Sequence, residues 1–135
     1  MKSKLLLLLL LCLIPVTIQA EIINIDNAQL EGLLAKNVPL IDIRTAPEWS
    51  ETGIVAGSHM LTFFDANGKY DARSWLAQLS PIAGKGDPVI LICRTGRRTG
   101  LISKFMDEQV GYQKIYNVTK GIRNWIDTKN PVVAP

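Results

Sequence analysis

The chain has 135 residues, 47% of them hydrophobic, and its 15 basic and 12 acidic residues give a formal net charge of +3. This hydrophobic fraction is enough for one domain with a real core, so a disordered or low-complexity chain is excluded. The charge balance gives no support to nucleic-acid binding, because a phosphate-binding surface needs excess basic charge over a whole face.

The first twenty residues predict a secretory signal peptide. Two lysines precede an apolar run at 5–14, and Ala20 is a small residue suited to cleavage. A proline follows the run, which is shorter than the ~20 residues needed to span a bilayer, so a membrane anchor is disfavoured. We therefore expect residues 1–20 to be removed and residues 21–135 to form the domain, with no stable membrane anchor. The expected destination in a Gram-negative source is the periplasm.

Cleavage after Ala20 would change both the charge and the cysteine count. It removes two lysines and no acidic residue, which leaves 13 basic and 12 acidic residues and a net charge of +1. It also removes Cys12, so Cys93 becomes the single thiol. Because exported proteins usually pair their cysteines in disulfides, a lone cysteine is either a reactive thiol or an inert buried one.

The first part of the domain predicts a strand, a helix and a second strand. The apolar runs EIINI (21–25) and PLIDI (39–43) predict the strands. Between them, DNAQLEGLLAKN (26–37) predicts a helix, because its leucines recur at helical spacing after Asp26 or Asn27 as the N-cap.

The middle of the chain continues this alternation. APEWSET (46–52) predicts a short helix ended by Gly53, and HMLTFF (59–64) predicts a third strand. ARSWLAQL (72–79) places a tryptophan and two leucines on one helical face. DPVILIC (87–93) is apolar on both faces, as expected for a central parallel strand that is covered on each side.

The last part predicts a helix, a strand and a final helix. In the helix from Thr99 to its expected C-terminal cap at Gly111, the residues predicted to form one apolar stripe are Leu101, Ile102, Phe105, Met106 and Val110. KIYNV (114–118) predicts a strand, and TKGIRNWIDTKN (119–130) a helix. The whole pattern predicts an α/β domain with a central parallel sheet of about five strands and helices on both faces.

Cys93 is the strongest candidate for a functional residue. It ends the most apolar strand, and ligands of open α/β sheets bind at the carboxyl ends of the strands. The residues that follow it, which supply backbone amides and positive charge for binding an anion, are Arg94, Thr95, Gly96, Arg97 and Arg98. Such surroundings favour a thiolate, which is a nucleophile. The alternative for Cys93 is a small hydrophobic residue that ends a core strand. The alternative for the arginines is a solvated loop with no ligand.

Three blocks of the sequence resemble rhodanese-type sulfurtransferases. The loop VILICRTGRRT is similar to the family pattern Cys-x-x-Gly-x-Arg followed by Ser or Thr, through Cys93, Gly96, Arg98 and Thr99. An early block is similar through Asp42, Arg44, Glu48, Trp49, Gly57 and Ser58. A closing block is similar through Gly111, Tyr112, Gly121, Trp125 and Pro131. The departures from the family pattern are Ile54, Ala56 and Lys120.

The resemblance implies a rhodanese fold and a sulfurtransferase mechanism. Cys93 would take the outer sulfur of a small anionic donor such as thiosulfate, become a persulfide and pass the sulfur to cyanide or a thiol. The loop amides and Arg97 or Arg98 would bind the sulfonate oxygens, with Arg94 a weaker candidate. No metal and no cofactor is implied.

Two other functions remain open from the sequence. The same thiol could carry sulfur to one protein acceptor without turning over small substrates. A cysteine-dependent phosphatase is the other, but its usual loop places an arginine six residues after the cysteine, where this chain has Thr99. Arg98 stands one residue earlier, and the shorter loop should fit a sulfane sulfur and crowd a phosphoryl group. This favours sulfur over phosphorus.

Other polar and aromatic residues have structural interpretations. Asp42 and Arg44 stand two apart at the end of a strand, so an ion pair that braces neighbouring loops is favoured. The single histidine, His59, is expected to be a packed or surface residue. The three tryptophans lie in predicted helices, and core packing explains them better than substrate stacking.

Overall fold

The computed structural model describes residues 20–135. The predicted signal peptide, apart from Ala20, therefore lies outside the described residues. No helix in the described part of the chain is both long enough and apolar enough to cross a membrane.

The fold is built on a five-stranded sheet in which all pairings are parallel. The strands are β1 (Glu21–Ile25), β2 (Leu40–Asp42), β3 (His59–Met60), β4 (Pro88–Ile92) and β5 (Lys114–Val118). Their order across the sheet is β1-β5-β4-β2-β3. β4 lies at the centre, as its uniformly apolar sequence predicts.

Helices cover both faces of the sheet. They are α1 (Asn27–Ala35), α2 (Ala46–Thr52), α3 (Ala72–Leu79), α4 (Arg97–Phe105) and α5 (Gly121–Asp127), with a π-helical turn (Met106–Val110) that continues α4. Buried residues of α3 and α4 share one core with Val89 and Leu91 of β4. Residues of α1 and α5 share a second core with Ile90 and Ile92. The predicted α/β architecture is therefore confirmed.

Local sequence signals account for several helix ends. Asp26 caps α1 through a reciprocal pair of bonds: the amide of Gln29 donates to its carboxylate at 2.8 Å, and its own amide donates to the Gln29 side chain at 3.0 Å. Of the two predicted caps, Asp26 is thus the N-cap and Asn27 is the first helical residue. The chain leaves the π-helical turn at Gly111, whose φ of +87° suits glycine.

Several predicted boundaries and one predicted face are wrong. The last helix spans Gly121–Asp127 and is shorter at both ends than the predicted 119–130. The third strand ends at Met60 instead of residue 64, although the amides of Leu61 and Phe63 still donate to the carbonyl oxygens of Asp42 and Ile43. Cys93 follows β4 instead of ending it, and α4 begins at Arg97, two residues before Thr99. Leu101 is 58% exposed and does not belong to the buried stripe of α4.

The segment after Cys93 packs directly against the first turn of α5. The amides of Ile122 and Arg123 donate to the carbonyl oxygens of Cys93 at 2.9 Å and Arg94 at 3.1 Å. This contact requires Gly121, because a Cβ at that position would meet the backbone of Arg94 and would lie 2.6 Å from the carbonyl oxygen of Cys93. The first turn of α5 thus draws both carbonyl groups towards itself and fixes the path of the segment.

A single methyl group at Gly121 should break this contact. We expect Gly121→Ala to lower the free energy of unfolding by about 3–5 kcal/mol, because both its φ of +62° and the adjacent backbone oppose a side chain. Urea unfolding followed by tryptophan fluorescence measures the loss.

Gly57→Ala is the matched control for this change. Gly57 has a φ of +82°, but no atom lies within 4 Å of the position that a Cβ would take. This variant should lose only the ~1–2 kcal/mol cost of a left-handed residue. Equal losses in the two variants would contradict the proposed packing constraint.

Candidate active site

Cys93 lies at the carboxyl end of the central strand with its sulfur enclosed by the residues that follow. The side chain is 1% exposed and has no disulfide partner in the described residues. The amide of Gly96 donates to Sγ at 3.2 Å, and the hydroxyl of Thr99 lies 3.4 Å from Sγ. The structure therefore places one backbone donor and one hydroxyl against the sulfur. Both groups favour negative charge on it when they donate.

Gly96 makes this enclosure possible. It has a φ of +90° and stands immediately before α4, and a Cβ at this position would meet the carbonyl group of Thr119, which directly follows β5. The chain can therefore turn tightly between Cys93 and α4 and direct an amide at the sulfur. Thr95, at the tip of the same turn, is exposed.

The three arginines near Cys93 occupy different electrostatic environments. Arg98 forms a two-pronged ion pair with Glu48 of α2, with distances of 2.9 Å from Nη1 to Oε2 and 2.6 Å from Nη2 to Oε1. Arg94 lies 3.8 Å from Glu51 of the same helix, and the two side chains are 43% and 62% exposed. Arg97 is exposed and forms no ion pair with the described residues. Of the three, Arg97 is thus the cation most available to a ligand.

The pair between Arg98 and Glu48 perturbs both groups. Hydrogen bonds from Arg98 lower the pKa of Glu48 to about 2, against partial burial, with a further contribution from hydrogen bonds of Thr45. Hydrogen bonding to Glu48 raises the pKa of Arg98 above its usual value, and the nearby Cys93 and Asp42 act in the same direction. Glu48 also accepts the amide of Thr45 at 3.1 Å, which caps α2. Arg98 therefore joins α4 to the start of α2.

Asp42 and Arg44 form a fully buried ion pair at the end of β2. Arg44 donates to the Asp42 carboxylate through Nε at 2.9 Å and through Nη2 at 2.8 Å, and both side chains are 0% exposed. The guanidinium also donates to Thr52 Oγ1 at 2.8 Å and to the carbonyl oxygen of Gly53 at 3.0 Å. These bonds satisfy the buried charges and tie the end of α2 to the sheet. In the structure, Asp42 and Arg44 therefore brace the loops beside the site.

Two asparagines that the sequence analysis did not single out extend the site behind Cys93. Thr99 is 0% exposed, and its hydroxyl lies 2.7 Å from Oδ1 of Asn117 on β5. Asn117 in turn donates from Nδ2 to Oδ1 of Asn24 on β1 at 3.0 Å. Asn24 and Asn117 are register partners in the parallel pair of β1 and β5. The signal in the sequence that could have identified them is a side-chain amide inside each of the apolar runs EIINI and KIYNV.

Other candidates lie away from the sulfur or in the core. His59 is exposed on the edge strand β3. Trp75 and Trp125 are buried as predicted, whereas Trp49 is only half-buried and its indole N–H is buried without a hydrogen-bond partner. Within residues 20–135, no group of three or more His, Cys, Asp or Glu side chains is arranged to hold a metal ion.

The Glu48 pair should make stability depend on pH. Because folding lowers the pKa of Glu48 to about 2 from 4.5, its contribution is complete above pH ~5 and disappears as the pH falls through ~2. We expect Glu48→Gln to lower the free energy of unfolding by about 1–3 kcal/mol at pH 7, with the difference from wild type shrinking below pH 4.5. Urea unfolding at intervals between pH 7 and pH 2 measures this difference.

Glu51→Gln serves as the control because its contact with Arg94 is long and exposed. It should change the free energy of unfolding by less than ~0.5 kcal/mol at any of these pH values. A Glu48→Gln deficit that stayed constant down to pH 2 would show that the ion pair is not its source.

Solved structures with related folds support the architecture described above. A rhodanese-related protein from Thermoplasma volcanium is 25% identical and aligns over 84% of this chain and 99% of its own, with a TM-score of 0.62. A polysulfide-sulfur transferase from Wolinella succinogenes has the same fold at 20% identity, with a TM-score of 0.64 over 87% of this chain and 82% of its own.

Sequence comparison points to the same group of proteins. A protein of Arabidopsis thaliana named thiosulfate sulfurtransferase 18 is 28% identical over 119 residues, which cover 83% of this chain and 84% of the relative. The rhodanese-like domain family matches residues 26–128, a segment that contains all five helices and every strand except β1. The chain therefore belongs to the rhodanese-like domain family.

Proposed function

We propose that the protein is a sulfurtransferase that moves a sulfane sulfur from a donor such as thiosulfate to a thiophilic acceptor through a persulfide on Cys93. Membership of the rhodanese-like family and the similarity to a protein named thiosulfate sulfurtransferase support a sulfurtransferase-type function. The observation that carries the finer proposal is the placement of one thiol against the Gly96 amide and the Thr99 hydroxyl, in a segment whose Arg97 forms no ion pair with the described residues.

The proposed reaction has two balanced steps. The Cys93 thiolate attacks the outer sulfur of thiosulfate, a sulfur–sulfur bond forms to Sγ, and the bond to the sulfonate sulfur breaks to release sulfite with its electron pair. Cyanide or a thiolate then attacks the outer sulfur of the persulfide, which leaves as thiocyanate or a new persulfide and returns the Cys93 thiolate. Neither step needs an external oxidant or reductant.

The arginines have separate proposed roles in donor binding. Arg97 would contact the sulfonate oxygens together with the amides at the start of α4, because its guanidinium is exposed and unpaired among the described residues. Arg98 would act mainly by holding the segment after Cys93 against α2, because Glu48 already accepts two of its bonds. Arg94 would add a weaker positive field, because it is only half-exposed and lies near Glu51.

The alternative functions differ in what they require of the thiol. A carrier that hands sulfur to one protein acceptor uses the same persulfide but turns over poorly with small acceptors. A phosphatase needs a guanidinium six residues beyond the cysteine, and this position is the buried hydroxyl of Thr99, bonded to Asn117. The site therefore favours sulfur chemistry over phosphoryl transfer.

We also propose that the domain acts after export, in the periplasm if the source is Gram-negative. The support is the signal-peptide pattern of residues 1–20, whose removal would leave Cys93 as the single thiol of an exported domain. Edman sequencing of the secreted form should begin at Glu21.

The persulfide can be detected directly by mass. After incubation with thiosulfate, the peptide that contains Cys93 should gain the mass of one sulfur atom, and cyanide should remove it as thiocyanate. Cys93→Ser should show neither change, while Cys12→Ser should behave like wild type because Cys12 lies in the predicted leader. Absence of the added sulfur with several sulfur donors would sink the sulfurtransferase proposal. Loading without turnover of cyanide or small thiols would instead support the carrier.

The role of Arg97 can be tested by steady-state kinetics with thiosulfate. Because Arg97 is proposed to bind the donor in both ground and transition states, Arg97→Ala should raise KM for thiosulfate by about three- to tenfold and change kcat little. Lys85→Ala removes the same charge from an exposed residue that precedes β4, at the amino ends of the strands and so away from Cys93. It should leave KM unchanged. Equal effects of the two changes would show that only the overall charge matters.

A further inference from the structure

The hydroxyl of Thr99 has one proton but faces three acceptors. Its Oγ1 lies 3.4 Å from Sγ of Cys93, 2.7 Å from Oδ1 of Asn117 and 3.2 Å from the carbonyl oxygen of Gly96. A hydroxyl donates to one acceptor at a time and can accept from another donor. When Thr99 donates to Asn117, it can therefore only accept from the protonated thiol.

The two asparagines behind Thr99 allow the opposite arrangement without moving any backbone. A half turn of a side-chain amide exchanges its oxygen and its NH₂ group at nearly the same two positions. If Asn24 and Asn117 both turn, Asn24 donates to Asn117, Asn117 donates to Thr99, and the Thr99 proton is free to point at Sγ. The same four side chains thus form a hydrogen-bonded chain in either direction.

Burial makes the direction of this chain matter. Cys93, Thr99 and Asn117 are 1%, 0% and 6% exposed, so solvent has little access with which to replace a missing donor to the sulfur. Asn24, at the outer end, is exposed. The chain therefore runs from a buried thiol to the protein surface at the end of β1.

We propose that Asn117 is a positioning residue that turns the Thr99 hydroxyl towards or away from the Cys93 sulfur, and that Asn24 holds Asn117 in either orientation. With the chain directed inward, Sγ accepts from both Gly96 and Thr99, which stabilises the thiolate. With the chain directed outward, Thr99 accepts from the thiol. This inference rests on the proposed use of Cys93 as a thiolate nucleophile.

The direction of the chain would follow the charge during the proposed reaction. The free thiolate carries its charge on Sγ and takes the second donor from Thr99. In the persulfide the charge lies on the outer sulfur, so the Thr99 hydroxyl can again donate its hydrogen bond to Asn117. Asn117 would thus supply a donor when Sγ is charged and withdraw it when Sγ is not.

Asn24→Asp tests this from the exposed end of the chain. A carboxylate only accepts hydrogen bonds, so it should hold the Asn117 NH₂ group outward. The Asn117 oxygen then faces Thr99, and the Thr99 hydroxyl keeps donating to it. We expect the rate of Cys93 alkylation by iodoacetamide at pH 7 to fall about tenfold and the pH midpoint of the reaction to rise by about one unit. The rate is followed at the Cys93 peptide by mass spectrometry.

The control must carry the same added charge outside the chain. Asn27→Asp places a carboxylate three residues further on, at the start of α1, where Asn27 bonds Thr128 and not Asn117. It should move the alkylation midpoint by no more than a few tenths of a unit. A shift equal to that of Asn24→Asp would overturn the inference, because charge alone would then explain both.

Other charged groups around the thiol remain the same in both variants. They include the Asp42–Arg44 pair at the end of β2, the Arg98–Glu48 pair between α4 and α2, Arg94 with Glu51, Arg97 after Cys93, and Lys120 and Arg123 at the start of α5. A difference between the two aspartate variants therefore reports on the chain.

A second measurement uses Thr99→Val, which removes the link between Asn117 and Sγ. In this background, Asn24→Asp should slow alkylation no more than Asn27→Asp does, because no hydroxyl remains to be turned. If the tenfold effect of Asn24→Asp survives without the Thr99 hydroxyl, the inference is wrong. Asn117→Asp places the carboxylate directly against the Thr99 hydroxyl. It should reproduce the slow alkylation if the inference holds.

Alkylation separates this inference from the proposed function. A wild-type protein that loads sulfur, with alkylation indifferent to Asn24→Asp, would overturn the inference and leave the sulfurtransferase proposal intact. A protein that takes no sulfur but shows the alkylation shift would keep the positioning role of Asn117 and reject the sulfurtransferase.

Discussion

The close contact between the segment after Cys93 and the first turn of α5 determines how the site is built. Two amides of α5 bond the carbonyl oxygens of Cys93 and Arg94, and the contact leaves no room for a side chain at Gly121. A second glycine, Gly96, turns the chain so that its amide reaches Sγ. With the two carbonyl groups engaged by α5, the sulfur meets a backbone donor, which suits an anionic nucleophile. The departure at Lys120 leaves this contact intact, because Lys120 is exposed and has a negative φ.

Charge around the site is organised by partners from α2. The sequence shows three arginines within five residues, which suggests a general attraction for anions. In the structure, Glu48 takes Arg98 into a short two-pronged pair, and Glu51 lies near Arg94 at a longer distance. α2 is itself held to β2 by the buried Arg44. Among residues 20–135, the positive cluster therefore reduces to one guanidinium without an ion-pair partner, on Arg97, and two that are wholly or partly engaged.

Local patterns in the sequence predicted the order of the elements, the parallel sheet and the place of Cys93 at its carboxyl edge. They succeeded because apolar periodicity and turn residues act over a few positions. They missed relationships that depend on residues far apart in the chain. Arg98 meets Glu48 across 50 positions, and Asn117 meets Asn24 across 93. The length of β3 was also missed, because its regular pairing depends on β2, about 18 positions earlier in the chain, and stops at Met60 opposite Asp42.

The burial of Cys93 is compatible with its proposed reactivity because the proposed reaction moves the charge from Sγ to a second sulfur. At 1% exposure, Sγ is poorly solvated and depends on protein donors when it is ionised. A persulfide places its charge on a second sulfur about 2 Å from Sγ. Gly96 is a fixed donor to Sγ, whereas the Thr99 hydroxyl can turn. A site with one fixed and one reversible donor can therefore serve both the charged thiol and the neutral inner sulfur of the persulfide.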